Sequence, residues 1–197
     1  MSRTLDLGCG ANRDPSATDG MDVSPARGVT IQWDAGKFPW PIADGAYDRV
    51  VSHQLLEHLP PRYEGDRELM FVLFDEVHRI LRPGGVFEFD TPHARSRQAH
   101  ELSHRRYFNV ESFRPFWDAS VMRHAYARRK QWQLLSCRVE RVWPFLWHVR
   151  RSFPRVGALY ERIPGGPPGN IHVRLRRRSE RACPRFAALG TDGITEG

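Results

Sequence analysis

Four residues into the chain, Leu5-Asp6-Leu7-Gly8-Cys9-Gly10 runs a short apolar strand into a Gly-x-Gly turn, and this junction restricts the possible folds more than any other feature. A strand that stops at such a turn brings backbone N–H groups close to a ligand, because glycine has no Cβ and adopts φ > 0 readily. A second apolar run follows and ends in Asp22. In open α/β folds, a carboxylate beyond the second strand is placed to accept hydrogen bonds from a ribose. A lone Gly-x-Gly is weak evidence. This one is followed by a long ordered series of strand and turn signals.

Residues 4–7, 20–23, 29–33, 47–52 and 86–90 read as strands separated by turns, the pattern of a mostly parallel α/β sheet. Residues 68–81 carry apolar side chains at 69, 72, 73, 77, 80 and 81, which is helical spacing. Arg82-Pro83-Gly84-Gly85 ends that helix. Only about a dozen residues, Pro15 and Gly20 among them, separate the first two strands, and a full crossover helix needs more room. The first crossover helix is therefore expected to be missing or reduced to a turn. Further on, residues 110–130 read as a helix capped by Asn109 or Ser112. Residues 133–142 and 171–177 read as two strands forming an antiparallel C-terminal hairpin. Between them, 143–169 holds Trp143, Phe145, Trp147, Phe153 and Tyr160 and is expected to be a helical insertion capping the substrate end. Residues 187–197 have little to bury and are expected to be disordered. The whole reads as a single domain over 1–186, with a cofactor-binding half at 1–95 and a substrate half at 96–186.

A chain of 197 residues, 40% hydrophobic and 11% aromatic, can bury a substantial core and is not of disordered composition. No apolar run approaches the ~20 residues of a membrane span, and the N-terminus lacks the order of a signal peptide. Three widely spaced cysteines (Cys9, Cys137 and Cys183) without a CxxC pair point to a reduced, cytoplasmic protein. Charge is uneven: residues 123–185 hold sixteen Arg or Lys against Glu140, Glu161 and Glu180. Lys37 and Lys130 are the only lysines in the chain, so the basic half is as much a matter of arginine usage as of a nucleic-acid face.

Six motifs stand in order: Leu5–Gly10; Asp22-Val23-Ser24; Asp34 followed by Phe38-Pro39-Trp40-Pro41; Asp44–Val51; Leu56-Glu57-His58-Leu59; and Leu81–Gly85. Together they resemble the class I S-adenosylmethionine-dependent methyltransferases of the small-molecule branch, over about residues 4–95. Ser103-His104-Arg105-Arg106-Tyr107-Phe108, followed by Glu111-Ser112-Phe113, resembles a segment that flanks the substrate in many of these enzymes. The compact, lysine-poor chain is also similar to actinobacterial sugar O-methyltransferases, including those of methylmannose polysaccharide synthesis. The resemblance implies a Rossmann-like sheet with S-adenosyl-L-methionine as methyl donor. Asp6, Gly8, Cys9 and Gly10 would surround its methionine portion, Asp22 its ribose hydroxyls, and Val23, Asp34 and Ala35 its adenine. Ser52 and His53 would lie near the transferring methyl.

Methyl transfer from a sulfonium is an in-line displacement, so the enzyme must supply alignment and deprotonation of the nucleophile. Histidine suits the deprotonation, and His53, His58, His93, His100 and His104 cluster after the fourth and fifth strands, where open sheets bind ligands. Of these His53, His58 and His104 are the catalytic candidates; His124, His148 and His172 read as structural or surface residues. Gln54, Glu57 and His58 fall at i, i+3 and i+4, which puts them on one helical face. Some relatives that methylate ubiquinone precursors or RNA 3′ ends carry Glu-x-x-Glu-His there and bind a divalent ion. That resemblance makes Gln54, Glu57, His58 and His104 a candidate site for Mg²⁺ or Mn²⁺; packing and hydrogen bonding are the alternative roles for the same residues.

The expected activity is O-methylation of a small polar acceptor, with a sugar or oligosaccharide hydroxyl favoured. The carboxylate and histidine cluster argues for a hydroxyl, and the aromatic, arginine-rich segment argues for the sugar. Two readings stay open beside it: an RNA ribose 2′-O-methyltransferase, suggested by the basic half, and a cofactor-binding module without catalysis. The aromatic stripe in 143–160 reads first as core of the cap. A sugar-stacking wall, an oligomer contact such as a homodimer, and a basic membrane-surface helix are its other readings.

Overall fold

In the computed structural model, residues 2–63, 67–118, 120–121, 132–141 and 167–178 are described. Strands β1 (Thr4–Leu7), β2 (Asp19–Asp22), β3 (Ile31–Gln32) and β4 (Tyr47–His53) come first. Two short paired strands, β5 (Arg62–Tyr63) and β6 (Arg67–Glu68), then lead into helix α1 (Leu69–Ile80) and strand β7 (Leu81–Pro92). A short helix α2 (Val110–Phe113) and strands β8 (Trp132–Arg141) and β9 (Pro168–Arg177) follow.

Seven strands form one sheet in the order β3-β2-β1-β4-β7-β9-β8. The first five run parallel, while β9 pairs antiparallel with both β7 and β8. This is the mostly parallel, Rossmann-like sheet with an antiparallel C-terminal pair that the strand pattern predicts. β1 is buried along its whole length, since it lies between β2 and β4 with both faces covered.

The trimmed first crossover is also present: residues 8–18 make turns and no helix. Arg13 Nη1 donates to the Thr18 and Gly28 carbonyls at 3.3 Å each, and the Thr18 N–H returns to the Thr4 carbonyl at 2.9 Å. Hydrogen bonds that a helix would have made internally are made to neighbouring strands and loops instead.

α1 buries Leu69, Met70, Leu73, Phe74, Val77 and Ile80 along one stripe, with Glu68 as N-cap accepting from the Met70 N–H. His78 and Arg79 occupy its last turn, where the helix dipole favours positive charge. Phe74 is the hub of the core, stacked on Phe116 with centroids 3.6 Å apart and edge-on to Phe87, Phe89 and Trp132. Truncating a hub of this kind costs about 3–5 kcal/mol.

Two expectations are corrected. The Arg82–Gly85 turn is not a separate loop before the fifth strand, because β7 begins at Leu81: Tyr47 pairs with Leu81 and Arg49 with Val86, so the turn bulges out of the β4–β7 ladder. The helix expected over 110–130 ends at Phe113; of the two candidate caps Asn109 takes the N-cap position, its Oδ1 accepting from the Ser112 N–H at 3.0 Å. Pro115 lacks the N–H that would continue it, and the chain tightens into a 3₁₀ turn over Arg114–Phe116. The insertion expected at 143–169 falls, except for its last residues, outside the described residues, as do 122–130 and the tail at 187–197. Among the described residues no helix is long and apolar enough to cross a membrane, and Cys9 and Cys137 are free thiols.

Candidate active site

The parallel strands all end on one edge of the sheet, and the sequence-derived candidates gather there. After β1 the chain turns with Gly8 at φ +76 and Gly10 at φ +51. Gly8 donates to the Met21 carbonyl at 2.8 Å and Gly10 to Asp22 Oδ2 at 2.9 Å, so the turn is held against the end of β2. Asp22 thereby joins the two motifs; its Oδ1 also accepts from the Ser24 N–H at 2.9 Å. Nothing lies within 4 Å of where a Gly10 Cβ would stand, which leaves the turn open on that side. Cys9 is buried between the strand ends, and burial pushes its thiol up from the usual range.

Asp6 is 2% exposed and accepts from the Asp14 N–H at 2.7 Å. Burial raises its carboxyl above the ordinary carboxylate value, partly countered by that backbone bond. On the far side of Asp22, an open cavity of about 290 Å³ is lined by Val23, Gln32, Trp33, Asp34 and Lys37. Val23 is 62% exposed and forms part of the apolar wall of this cavity. Asp34 accepts from the Gly36 N–H at 2.8 Å, while Ala35 is buried and its carbonyl accepts from Trp40 Nε1 at 3.2 Å.

At the end of β4, Ser52 and His53 diverge. Ser52 is fully buried, with its hydroxyl donating to the Leu7 carbonyl at 3.0 Å, and it ties β4 to β1. His53 points out, its side chain 53% exposed, with Nδ1 2.5 Å from Asp90 Oδ2 and Nε2 3.7 Å from Asp14 Oδ2. The hydrogen bond to Asp90 lifts the imidazole above its usual value against the opposing effect of burial, and Asp6 and Asp14 add to the rise. Burial pushes the Asp90 carboxyl up, but the bonds from His53 and Gln54 outweigh it and leave the group below its ordinary value. Asp90 and Asp14 do not stand out in the sequence as site residues. Asp90 is visible there only as the last residue of a strand, and its partner sits 37 positions earlier.

Gln54 does not share a helical face with Glu57 and His58. It sits at φ +51, its Nε2 donates to Asp90 Oδ1 at 2.5 Å, and the only helical turn here is the 3₁₀ segment Leu56–His58. The group that does converge is Glu57, His58 and His104, whose candidate ligand atoms all lie within 4.8 Å of one another. The segment carrying His104 is brought in by two backbone bonds, from the Arg105 and Arg106 N–H groups to the Glu57 carbonyl at 2.7 and 3.2 Å. Arg106 fastens it further to the Pro61 carbonyl at 2.7 Å and to Glu68.

Glu57 is 1% exposed; its Oε2 accepts from Thr91 Oγ1 at 2.9 Å, and its Oε1 has no partner. Burial raises its carboxyl despite the Thr91 bond and the two histidines. His58 Nδ1 is 3.3 Å from the Ser103 carbonyl and His104 Nδ1 is 3.2 Å from the Ala99 carbonyl. A ring that donates from Nδ1 to a carbonyl keeps its lone pair on Nε2, the arrangement usual for metal-binding histidines. Of the remaining candidates, His93 accepts from the Arg95 N–H at 3.1 Å, and His100 is exposed against Tyr107.

The family model described as a methyltransferase domain matches residues 2–129. The chain belongs to that family. Solved structures share the fold. An S-adenosylmethionine-dependent methyltransferase from Mesorhizobium loti is 18% identical, with 89% of this chain and 91% of that one covered and a TM-score of 0.52. For a SAM-dependent methyltransferase from Archaeoglobus fulgidus the values are 15%, 90%, 86% and 0.56. The YcgJ protein of Bacillus subtilis gives 15%, 91%, 93% and 0.54. No curated protein matches at a significant level.

Membership gives this methyltransferase domain S-adenosylmethionine as its methyl donor. The residues fit that group: the open side of the Gly10 turn, the Asp22 carboxylate behind it and the Val23–Trp33–Asp34 cavity follow one another along the strand ends. An apolar face with a few fixed polar groups is what a nucleoside-bearing ligand requires.

Proposed function

We propose that this methyltransferase domain transfers the methyl group to a hydroxyl of a small polar acceptor, and that a sugar or oligosaccharide is the acceptor class. The observation that carries the reading is the half-exposed His53 imidazole, held by Asp90 on the cofactor edge of the sheet. A thiol, which ionises near neutrality, or an amine, whose lone pair attacks directly, has less need of an oriented base than an alcohol, whose proton must leave as the oxygen attacks. The donor supplies an electrophile that is already activated. In this reading Asp6, Gly8, Gly10, Asp22, Val23, Asp34 and Ala35 hold the donor, while His53 takes the acceptor's proton.

Glu57, His58 and His104 are the second element of the reading, as ligands for a divalent cation that orients the acceptor hydroxyl and lowers its pKa. The unpartnered, buried Glu57 Oε1 supports it, since such an atom costs about 1–3 kcal/mol unless something satisfies it. One carboxylate with two imidazoles suits Mn²⁺ better than Mg²⁺, which prefers an all-oxygen shell. Part of the basic C-terminal segment is already engaged internally. Arg174 pairs with Glu88 at 3.0 Å and Arg177 donates to the Leu81 carbonyl, which leaves less for a polyanion.

Incubation with methyl-labelled S-adenosylmethionine and Mn²⁺ tests the reading against panels of hexoses, hexose oligomers, catechols and short RNA. Label in alkali-stable ethers of the saccharide panel is the expected result. Label confined to RNA ribose, with binding that falls steeply with salt, would replace the saccharide reading.

A further inference from the structure

Asp90 stands in register with His53 across the parallel β4–β7 ladder, so the two backbones place the carboxylate beside the imidazole without help from any loop. Both carboxylate oxygens are engaged at this one corner, where Oδ2 meets His53 Nδ1 at 2.5 Å and Oδ1 accepts from Gln54 Nε2 at 2.5 Å. The Gln54 N–H bonds to the Asp90 carbonyl at 3.1 Å, which secures the same corner a third time. The Asp90 side chain is 13% exposed against 53% for His53, so the acid lies beneath the ring and the ring faces the open edge. An ionised carboxylate only accepts, and a neutral imidazole bonded to it at Nδ1 must carry its hydrogen there. Nε2 is then the ring's free lone pair.

We propose that Asp90 is a positioning residue for methyl transfer, holding His53 in the tautomer and orientation that leave Nε2 to receive the acceptor's proton. This rests on the hydroxyl-acceptor reading above. In the step, the acceptor O–H proton passes to His53 Nε2, and the oxygen lone pair forms the bond to the methyl carbon. The carbon–sulfur bond of the donor breaks with its electron pair staying on sulfur, so the positive charge lost by the sulfonium reappears on the imidazolium. Asp90 keeps its negative charge throughout and offsets the new charge across the Nδ1 bond. Asp14, 3.7 Å from Nε2, and Asp6, which is bonded to it, lie on the β1 side of the ring, and the Arg49 charge acts on Asp14. His172 flanks Asp90 from β9.

The neighbouring glutamine makes the test sharp. In Asp90→Asn the Gln54 amide still needs an acceptor, so the asparagine carbonyl turns to Gln54 and its NH₂ faces His53. Nδ1 is then forced to accept, and the ring switches to the Nε2–H form. ¹⁵N-histidine-labelled protein, with S-adenosylhomocysteine bound and His53 assigned by His53→Gln, is read by long-range ¹H–¹⁵N correlation at alkaline pH. The expected result is an Nδ1–H ring in the wild type and an Nε2–H ring in Asp90→Asn. S-adenosylhomocysteine affinity should stay within about threefold, and turnover should fall by about 10²-fold or more, the usual contribution of an oriented base. Asp90→Glu should restore the Nδ1–H form. An Nε2–H ring in the wild type, or the same tautomer in wild type and Asp90→Asn, overturns the proposal, and the wild-type spectrum alone decides if the variant does not fold. An Nδ1–H wild type that methylates nothing in the acceptor panels upholds the His53–Asp90 arrangement and refutes the hydroxyl reading instead.

Discussion

Alanine at Gly8 and alanine at Gly10 should separate folding from cofactor binding in a turn where the two residues look alike in sequence. Both sit at positive φ, +76 and +51, so a Cβ at either costs about 1–2 kcal/mol of backbone strain, offset by about 0.4–1 kcal/mol from a stiffer unfolded chain. At Gly10 that is the whole cost, a net loss of about 1 kcal/mol, because nothing lies within 4 Å of the added carbon. At Gly8 the new Cβ would stand 2.8 Å from Leu55 Cδ1, 2.9 Å from Cδ2 and 3.1 Å from Cβ. The two methyls can swing aside, but the Leu55 Cβ moves only with the backbone that follows Gln54 at φ +51. Overpacking therefore adds about 1–3 kcal/mol, for a total of about 2–4 kcal/mol. Urea denaturation of the two variants measures the difference, and calorimetry with S-adenosylhomocysteine reads the other side of the contrast. Gly10→Ala places its methyl on the open side of the turn, where the ligand would pass, and should weaken binding by tenfold or more, about 1.4 kcal/mol. Equal unfolding midpoints for the two variants would refute the steric argument. Undiminished affinity in Gly10→Ala would refute the assignment of the turn.

Asp22→Ala should abolish S-adenosylhomocysteine binding by calorimetry, since it removes both the proposed ribose acceptor and the anchor of the Gly10 N–H; full affinity would sink the ribose assignment. Millimolar Mn²⁺ should raise the wild-type melting temperature by an amount corresponding to about 1–3 kcal/mol and leave Glu57→Gln unmoved, whereas full turnover in EDTA would retire the cation. His78 lies against Trp132, and burial, followed by the nearby Arg177 charge, lowers its imidazole from 6.5 to about 4. The unfolded chain therefore binds a proton that the folded chain refuses between those values, so stability contributed by the neutral ring is lost as pH falls from 6.5 towards 4. Solvent screening of a partly exposed ring reduces the loss to about 1–2 kcal/mol. His78→Gln should flatten that part of the stability–pH curve, and a variant curve parallel to the wild type would refute the assignment.

The first strands of the sheet were legible because their signals are local. A strand, a Gly-x-Gly turn and a terminal carboxylate occupy Leu5–Asp22, and each can be read within a window of a few residues. The missing crossover helix was legible for the same reason, as a shortage of residues between two strands. The substrate side was less so. The Gln54–Glu57–His58 spacing matched a helix, but one backbone turn at Gln54 to positive φ takes its amide to Asp90 and leaves a 3₁₀ segment for the rest. Periodicity reports which residues would share a face if the chain were regular, and carries no information about a single left-handed residue. The expected helix over 110–130 shows the same limit: Asn109 and Ser112 both read as caps and both join the capping box, whereas Pro115, where the helix gives way to a 3₁₀ turn, was not read as a stop.

What the sequence by itself determined is the mostly parallel sheet and, through six ordered motifs that resemble it, the family; the sheet depends on short-range chemistry, namely strand patterning, a turn that favours glycine, and a carboxylate at a strand terminus. The pairing of His53 with Asp90, and the exclusion of Gln54 from the group that Glu57 and His58 form with His104, were decided by tertiary structure alone. Residues 37 and 46 or 47 positions apart meet because strand register and the Arg105–Glu57 and Arg106–Glu57 backbone bonds bring them together. Such contacts are set by the summed packing of the sheet, and no pattern within a single segment encodes them.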